Sequence, residues 1–198
     1  VMTFHYLQPD VDWHNRVLFA LEAMARRPML IADAGFMYAA KMSGRASSYD
    51  MFTPDVGELA FLADEMAPHP FYTRGFILHQ HDQVEELIHQ AYRHENAATA
   101  LVVNGGIDYI VRNDQIVATV NAPSFPAMEA IGGTGDTLTG LLTSLCGSNF
   151  EPMDAAVIAA TTNRLCGLLA NPTPATQISE LIATIPLALQ SALQNRPC

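Results

Sequence analysis

Three glycines occur within four positions at Gly132-Gly133-Thr134-Gly135, and an aspartate, Asp136, follows them directly. Glycine tolerates positive φ angles and lets backbone N–H groups approach a ligand closely. The apolar residues that follow predict a helix from residue 134, and the first N–H groups and the dipole of such a helix attract anions. The residue types and their spacing therefore predict a phosphate site that is built from backbone donors.

Asp136 is unusual at this position because a carboxylate is repelled by a bound anion. Its presence is explained if it takes a proton from a hydroxyl group near the phosphate, or if it helps to hold Mg²⁺. The alternative is a purely structural turn in which Thr134 or Asp136 is an ordinary N-cap. Short glycine motifs often occur by chance, so the residues alone leave both interpretations open.

The composition is that of a well-packed enzyme, and we predict a single domain over residues 1–198. Apolar residues make up 49% of the chain, charged residues make up 15%, and the formal net charge is −10. An acidic surface repels nucleic acid and anionic membranes, so neither is an expected partner. Because Lys41 is the only lysine, a lysine-based P-loop is also excluded.

The three cysteines, Cys146, Cys166 and Cys198, show no spacing typical of a metal or redox site. Cys146 and Cys166 lie in apolar helical stretches, which favours buried thiols in a reducing compartment. The first apolar run ends at Arg26-Arg27 and is too short for a leader or a membrane span. These features predict a cytoplasmic protein.

Helix-like and strand-like segments alternate along the chain. The predicted helices cover residues 13–26, 56–66, 82–93, 134–146, 153–170 and 177–194. The predicted strands cover residues 29–32, 49–53, 100–103, 107–111 and 115–120, with a hairpin turn at Asn113-Asp114. This alternation predicts an α/β fold with a mostly parallel sheet covered by helices.

The segment Gly132-Gly-Thr-Gly-Asp-Thr-Leu-Thr-Gly140 resembles the G-[TSA]-G-D signature of the ribokinase-like superfamily. Within it, the chain is most similar to the ADP/ATP-dependent NAD(P)H-hydrate dehydratases, a carbohydrate-kinase-like family. Ile31-Ala-Asp33-Ala34 resembles that family's D-A-D-A strand end, and Phe52-Thr53-Pro-Asp55-Val-Gly-Glu58 resembles its T-P-H-x-G-E motif. The segment from Pro174 to Pro186 resembles its C-terminal A-s-D-L-i-x-x-I-P helix.

The resemblance implies a ribokinase-like layered fold, shortened at the N-terminus relative to the family, and activity with ADP or ATP and Mg²⁺. It implies that Asp136 is the catalytic base or proton relay. Helices 153–170 and 177–194 are expected to wall the adenine pocket, and Glu58 is the candidate magnesium-organising carboxylate. The residues implied to cradle the phosphates are Gly132, Gly133, Thr134 and Gly135. Those expected near the substrate or the metal are Asp33, Thr53, Asp55, Glu58 and Asn104.

Two residues depart from the family pattern. Asn104 occupies the position where dehydratases commonly have the lysine of a K-G pair, and Asp55 replaces the histidine of T-P-H. Three functions therefore stay open: a dehydratase that repairs hydrated nicotinamide cofactor, a carbohydrate-type small-molecule kinase, and a nucleotide-binding protein without catalysis. We also predict a homo-oligomer that covers the open face of the sheet.

A group of histidines is interpreted as a surface cluster, because no cysteine or carboxylate set completes a metal geometry. Its members are His79, His81, His89 and His94. The aromatic candidates for lining a ring pocket, with core packing as the alternative, are Phe71, Tyr72 and Tyr109. The candidate cations for phosphate contact are Arg74 and Arg112.

Overall fold

The computed structural model describes residues 1–6, 8–69 and 83–194 and divides into two compact units. The first unit comprises Val1–Val103 and Val111–Ile116, and the second comprises Asn104–Ile110 and Val117–Cys198. A single domain over residues 1–198 stays a prediction. Among the described residues, no helix is both long enough and apolar enough to span a membrane.

The strands form one six-stranded sheet with the order β1-β2-β3-β4-β5-β6. They are β1 (Met2–Tyr6), β2 (Leu30–Asp33), β3 (Met51–Phe52), β4 (Ala100–Val103), β5 (Asp108–Arg112) and β6 (Gln115–Val120). The first four strands pair in parallel. Asn113 and Asp114 join β5 to β6 with φ angles of 50° and 65°, as a two-residue hairpin turn requires, and the predicted hairpin is confirmed.

Helices flank the sheet, which confirms the predicted α/β class. They are α1 (Val11–Glu22), α2 (Ala34–Met42), α3 (Val56–Ala63), α4 (Val84–Arg93), α5 (Thr134–Gly147), α6 (Pro152–Ala170), α7 (Ile178–Ile182) and α8 (Ile185–Gln194). Short 3₁₀ helices occur at Ala46–Ser48 and Pro126–Ala130.

In the first unit, the core lies around short strands that are buried on both faces. All four residues of β2 and all four of β4 are buried, which explains their continuous apolar sequences. Helices α3 and α4 pack against each other, as do α1 and α2. The largest fully buried side chains of the described residues all lie in this core: Tyr49, Phe52, Phe61, Leu18, Leu30, Ile31, Met37, Met51, Leu59, Leu62, Ile88 and Leu101.

In the second unit, α6 packs against both α5 and α8. A buried cluster at this packing site contains Ile131, Cys166, Leu181 and Ala188. Cys146 and Cys166 are free and buried, as predicted, whereas Cys198 lies outside the described residues.

The element boundaries differ from the sequence prediction in places with a physical cause. Asp10 is the N-cap of α1 and accepts a hydrogen bond from the Trp13 backbone at 2.8 Å, so the helix begins at Val11. The helix predicted over 177–194 is two helices, α7 and α8. Pro186 has no N–H and its ring clashes with a carbonyl one turn earlier, so a continuous helix through this position is disfavoured. Strand β1 and helix α2 were not predicted.

Candidate functional site

The glycine turn leads into α5, and its second position, Gly133, suits only glycine. Gly133 is the N-cap of α5, with φ at 98°, and no side chain caps this helix. A Cβ atom at Gly133 would lie 3.0 Å from Ile178 Cγ1. Neither Thr134 nor Asp136 is therefore the N-cap of α5. A helix N-terminus without a side-chain cap leaves backbone donors for another acceptor.

Neighbouring polar side chains hold the turn in place. Thr137 Oγ1 donates to the Gly133 carbonyl at 2.8 Å, and Thr134 Oγ1 donates to the Ile131 carbonyl at 3.3 Å. The Asn163 side chain donates through Nδ2 to the Thr134 carbonyl at 3.2 Å. Asp136 lies in the first turn of α5 and is exposed. The predicted phosphate residues and the predicted base therefore share one fixed turn.

A largely apolar cavity of about 510 Å³ opens beside Asp136. Gly133, Asp136 and Thr137 line its polar end, and Ile178, Ile182 and Ile185 supply apolar surface. Its volume is in the range of small-molecule sites.

A smaller cavity of about 130 Å³ lies beside Thr134. Asn104, Asn163 and Arg164 line it together with Phe125 and residues of the 3₁₀ segment that follows Phe125. The two helices expected to wall one adenine pocket thus line different cavities. Residues of α6 line the smaller cavity, and residues of α7 and α8 line the larger one.

Arg164 is a positioning residue that sequence reasoning missed. Its Nε donates to Asp108 Oδ2 at 2.7 Å, and the ion pair is buried, with side chains 9% and 7% exposed. Its Nη atoms donate to the carbonyls of Gly105, Gly106 and Pro123 at 2.8, 3.1 and 3.3 Å. The available signal was an arginine within an otherwise uncharged stretch of helix, because buried arginines are rare unless they are paired.

In the first unit, Asp33 and Thr53 lie at strand ends and are almost completely buried, with 5% and 1% exposure. Asp33 ends β2 and is the N-cap of α2, because its Oδ1 accepts from the Ala34 N–H at 2.9 Å. The Thr53 N–H donates to the Ala32 carbonyl at 3.3 Å. Both residues follow parallel strands at their carboxyl ends, where ligands gather in α/β folds.

Asp55 and Glu58 form a capping box at the start of α3. Asp55 Oδ1 accepts from the Glu58 N–H at 2.7 Å, and Glu58 Oε2 accepts from the Asp55 N–H at 2.9 Å. The hydroxyl of Tyr38 donates to Glu58 Oε1 at 2.7 Å. Burial, together with the negative charges of Asp55 and Asp33, raises the pKa of Glu58 to about 8, although the Tyr38 hydrogen bond opposes this. Glu58 therefore holds a proton far more readily than an exposed glutamate does.

A family model described as NAD(P)H-hydrate dehydratase, of the carbohydrate-kinase group, matches residues 8–187. The chain belongs to this family. The resemblance inferred from the glycine turn and the strand-end motifs is confirmed.

The chain is similar to an uncharacterised protein and to a protein named as a repair enzyme. The chain is 42% identical over 195 residues to an uncharacterised protein of Methanocaldococcus jannaschii, covering 98% of this chain and 81% of that protein. It is 32% identical over 152 residues to a bifunctional NAD(P)H-hydrate repair enzyme of Pyrobaculum aerophilum, covering 77% of this chain and 27% of the enzyme. The chain thus matches only about a quarter of that enzyme's length.

A solved structure shows the same fold. Pyridoxal kinase of Entamoeba histolytica, solved with PLP, superposes with a TM-score of 0.65 at 18% identity. The superposition covers 96% of this chain and 68% of the kinase. The predicted ribokinase-like fold is confirmed.

Asn104, which replaces the family's lysine, lies beside the glycine turn. A Cβ atom at Gly135 would be 3.9 Å from Asn104 Nδ2, and Asn104 also lines the smaller cavity. Residue 104 thus lies near the turn as a neutral amide, where the resemblance leads us to expect a positively charged lysine.

The remaining candidates within the described residues have separate surroundings. The His89 ring bonds with Asp114 Oδ1 at 2.7 Å, and the His94 ring bonds with the Ala63 carbonyl at 2.9 Å, so the two histidines have separate partners. Tyr109 is half-buried in β5, and Arg112 is exposed at the end of that strand. Five of the candidates lie outside the described residues: Phe71, Tyr72, Arg74, His79 and His81.

Proposed function

We propose that this chain is an ADP- or ATP-dependent dehydratase that repairs hydrated NAD(P)H. The observation that carries the proposal is the α5 N-terminus, where Gly133 leaves the helix without a side-chain cap and Asp136 follows in the first turn. Membership of the dehydratase family supports the substrate class. Phosphate binds at this turn through the N–H groups of residues 133–135 and the positive end of the helix dipole.

Asp136 acts as the base in this proposal. Hydroxide is a poor leaving group, so the nucleotide transfers a phosphoryl group to the ring hydroxyl, and Asp136 accepts the hydroxyl proton. Phosphate then leaves the ring with the bonding electrons, and loss of a ring proton restores the double bond. The nucleotide loses one phosphoryl group and the hydrate loses the elements of water, so the step balances.

The larger cavity is the proposed substrate site. A base must lie within hydrogen-bonding reach of the proton that it removes, and Asp136 lines this cavity. The apolar wall formed by Ile178, Ile182 and Ile185 suits the face of a heterocyclic ring.

We propose that Glu58, at the start of α3, helps to hold a magnesium ion. Burial raises the pKa of Glu58, and the negative charges of Asp55 and Asp33 raise it further. Carboxylate oxygens are preferred Mg²⁺ ligands, and a divalent cation would relieve this repulsion. We propose Glu58 as the principal ligand, with Asp55 and Asp33 as its acidic neighbours. A bound Mg²⁺ would neutralise part of the negative charge of the phosphates.

The direct test mixes hydrated NADH, Mg²⁺ and ADP or ATP with the protein and follows the absorbance of the reduced nicotinamide. We expect the absorbance to recover with wild type and to be lost with Asp136→Asn, while nucleotide binding persists. A stable phosphorylated product would identify a small-molecule kinase instead. Binding without turnover would identify a non-catalytic nucleotide-binding protein.

A thermal-unfolding assay tests the nucleotide site on its own. Ligands that bind only the folded state raise the melting temperature. Millimolar ADP or ATP with Mg²⁺ should therefore raise it. If neither nucleotide raises the melting temperature, both the phosphate site and the proposed function are disproved.

A further inference from the structure

Strands β1 and β2 place a histidine beside an aspartate close to the carboxyl ends of both strands. The two strands pair in parallel, and His5 is the Cα partner of Asp33. Neighbouring strands lie about 4.8 Å apart, so the side chains of paired residues lie next to each other on one face of the sheet. The ligand atoms of His5 and Asp33 lie within 4.8 Å of each other. Because β1 was not predicted from the sequence, this pairing is visible only in the fold.

The spacing of these two side chains suits a metal ion. Zn²⁺ lies about 2.0–2.2 Å from its nitrogen and oxygen ligands, so two ligand atoms of one ion are at most about 4.4 Å apart. His5 is exposed, so a small rotation of its ring brings a nitrogen to that distance. An ion therefore reaches the pair from solvent, and water molecules complete its coordination, as at other open metal sites.

Asp33 is held in a fixed orientation. It is almost completely buried, and its Oδ1 accepts a hydrogen bond from the Ala34 N–H at 2.9 Å. A carboxylate has about four lone-pair sites, so this bond fixes the group and leaves capacity for an ion. Ala34 has a φ angle of 47°, and backbone strain of this kind is frequent at ligand sites. An ionised carboxylate is buried at low cost only where it is paired or coordinates a metal.

The elements that carry the two residues are packed on each other. Phe4 precedes His5 in β1, and its ring stacks on that of Phe36 in α2, with the ring centroids 4.7 Å apart. Helix α2 begins directly after Asp33. The stacked rings thus hold the end of β1 against the start of α2, and a ligand pair on such rigid elements is preorganised.

We propose that His5 and Asp33 form a site for a divalent transition-metal ion, with Mn²⁺ or Zn²⁺ bound in preference to Mg²⁺. Imidazole nitrogen is a common ligand of transition metals, whereas Mg²⁺ is bound through oxygen atoms. The site differs from the proposed magnesium ligand Glu58 because it offers a nitrogen atom. It goes beyond the proposed function and holds whether or not the chain is a dehydratase.

The first test identifies the ligand by spectroscopy. One equivalent of Mn²⁺ is added to the wild-type protein without a histidine tag, and pulsed EPR measures the coupling of the Mn²⁺ electron spin to nitrogen nuclei. We expect the coupling of a single imidazole nitrogen, which oxygen ligands do not produce. Mn²⁺ that binds without this coupling would be held by carboxylates alone, and that result would overturn the proposal, as would a failure of Mn²⁺ to bind.

The second test removes the nitrogen ligand. His5→Phe keeps a ring on the strand but has no ligand atom. We expect the Mn²⁺ affinity to fall about tenfold or more, since even the outer-shell partners of a metal contribute about 10–100-fold. The imidazole coupling should disappear, and the Mg²⁺ affinity should change little.

His89→Phe is the matched control for this variant. His89 on α4 also pairs with an aspartate, because its Nδ1 lies 2.7 Å from Asp114 Oδ1. The control should keep both the coupling and the Mn²⁺ affinity of wild type. A His5→Phe protein that binds Mn²⁺ as tightly as wild type would overturn the assignment, and the wild-type spectrum decides the question if that variant does not fold.

Discussion

At the scale of single residues, the glycine turn depends on Gly133 for two separate reasons. Its φ angle of 98° disfavours every residue with a Cβ atom, and a Cβ atom would also come within 3.0 Å of Ile178. Gly132 precedes it in the chain and has neither constraint, since a Cβ atom there meets nothing within 4 Å. The two neighbouring glycines therefore form a matched pair for experiment.

We predict that Gly133→Ala destabilises the fold by about 1–2 kcal/mol or more, the cost of a left-handed backbone in an L-residue. It should also abolish the nucleotide-induced rise in melting temperature, because the N–H groups of the turn are displaced. Urea unfolding and thermal shift measure the two effects. Gly132→Ala should keep near wild-type stability, and equal losses in both variants would contradict this explanation.

Glu58 predicts a dependence of stability on pH. Its pKa is raised to about 8 in the folded protein, above the value of about 4.3 in an unfolded chain. The folded state therefore holds the proton more tightly, and this contribution is complete below the unfolded pKa and is lost as the pH rises through about 8. Glu58→Gln keeps an acceptor for Tyr38 but cannot ionise.

We therefore expect the melting temperature of Glu58→Gln to increase relative to wild type between pH 5 and pH 9, in the absence of Mg²⁺, with the onset near the unfolded pKa of about 4–5. Scanning calorimetry across this range measures the difference. A difference that does not change with pH would show that Glu58 has an ordinary pKa.

At the scale of elements, α6 organises the second unit through two consecutive polar residues. Asn163 holds the start of α5, and Arg164 holds the segments around Gly105 and Pro123. The apolar residues of the same helix pack against α5 and α8. Arg164 can be buried in this helix because its charge is paired with Asp108 and its Nη atoms donate to backbone carbonyls.

We predict that Arg164→Met destabilises the protein by about 3–5 kcal/mol, because Asp108 is left as an unpaired buried charge. Adding Asp108→Asn should recover part of the loss. Arg45→Met is the control, because Arg45 pairs with Glu22 at a position where both side chains are about 40% exposed. Exposed pairs contribute about 0–1 kcal/mol. Urea unfolding compares the variants, and equal losses for the two arginines would refute the buried network.

At the scale of the whole molecule, charge sets how nucleotides approach the protein. The formal net charge of −10 repels an anionic ligand at long range. Salt screens this repulsion, whereas donors at the turn act at contact distance.

We predict that the association rate of a fluorescent ADP analogue increases when salt is raised from about 10 mM to about 150 mM. Stopped-flow fluorescence measures the rate, with a variant of lower net negative charge as the control. A rate that falls with salt would show that a local positive field steers the nucleotide instead.

Two further properties of the whole molecule stay predictions. The expected homo-oligomer is measured by light scattering in solution, and the expected cytoplasmic location by fractionation of cells.

Several features of this protein followed from sequence because their signals are local. The glycine spacing at residues 132–135 predicted the turn, since positive φ is a property of single residues. The positions of β4, β6 and α5 followed from short apolar periodicity, and the Asn113-Asp114 hairpin from turn chemistry. Strand β1 and helix α2 were not predicted from the sequence. The single helix predicted over 177–194 is divided into α7 and α8 close to Pro186.

The sequence by itself determined the family, the α/β class and the turn that carries Asp136. Only the tertiary structure decided what surrounds that turn. Asn163 reaches Thr134 across 29 positions, and Arg164 reaches Asp108 across 56. Contacts between residues so distant in the chain arise from how helices pack, and no local pattern encodes them. For the same physical reason, the buried pair of Arg164 and Asp108 and the environment that raises the pKa of Glu58 became visible only in three dimensions.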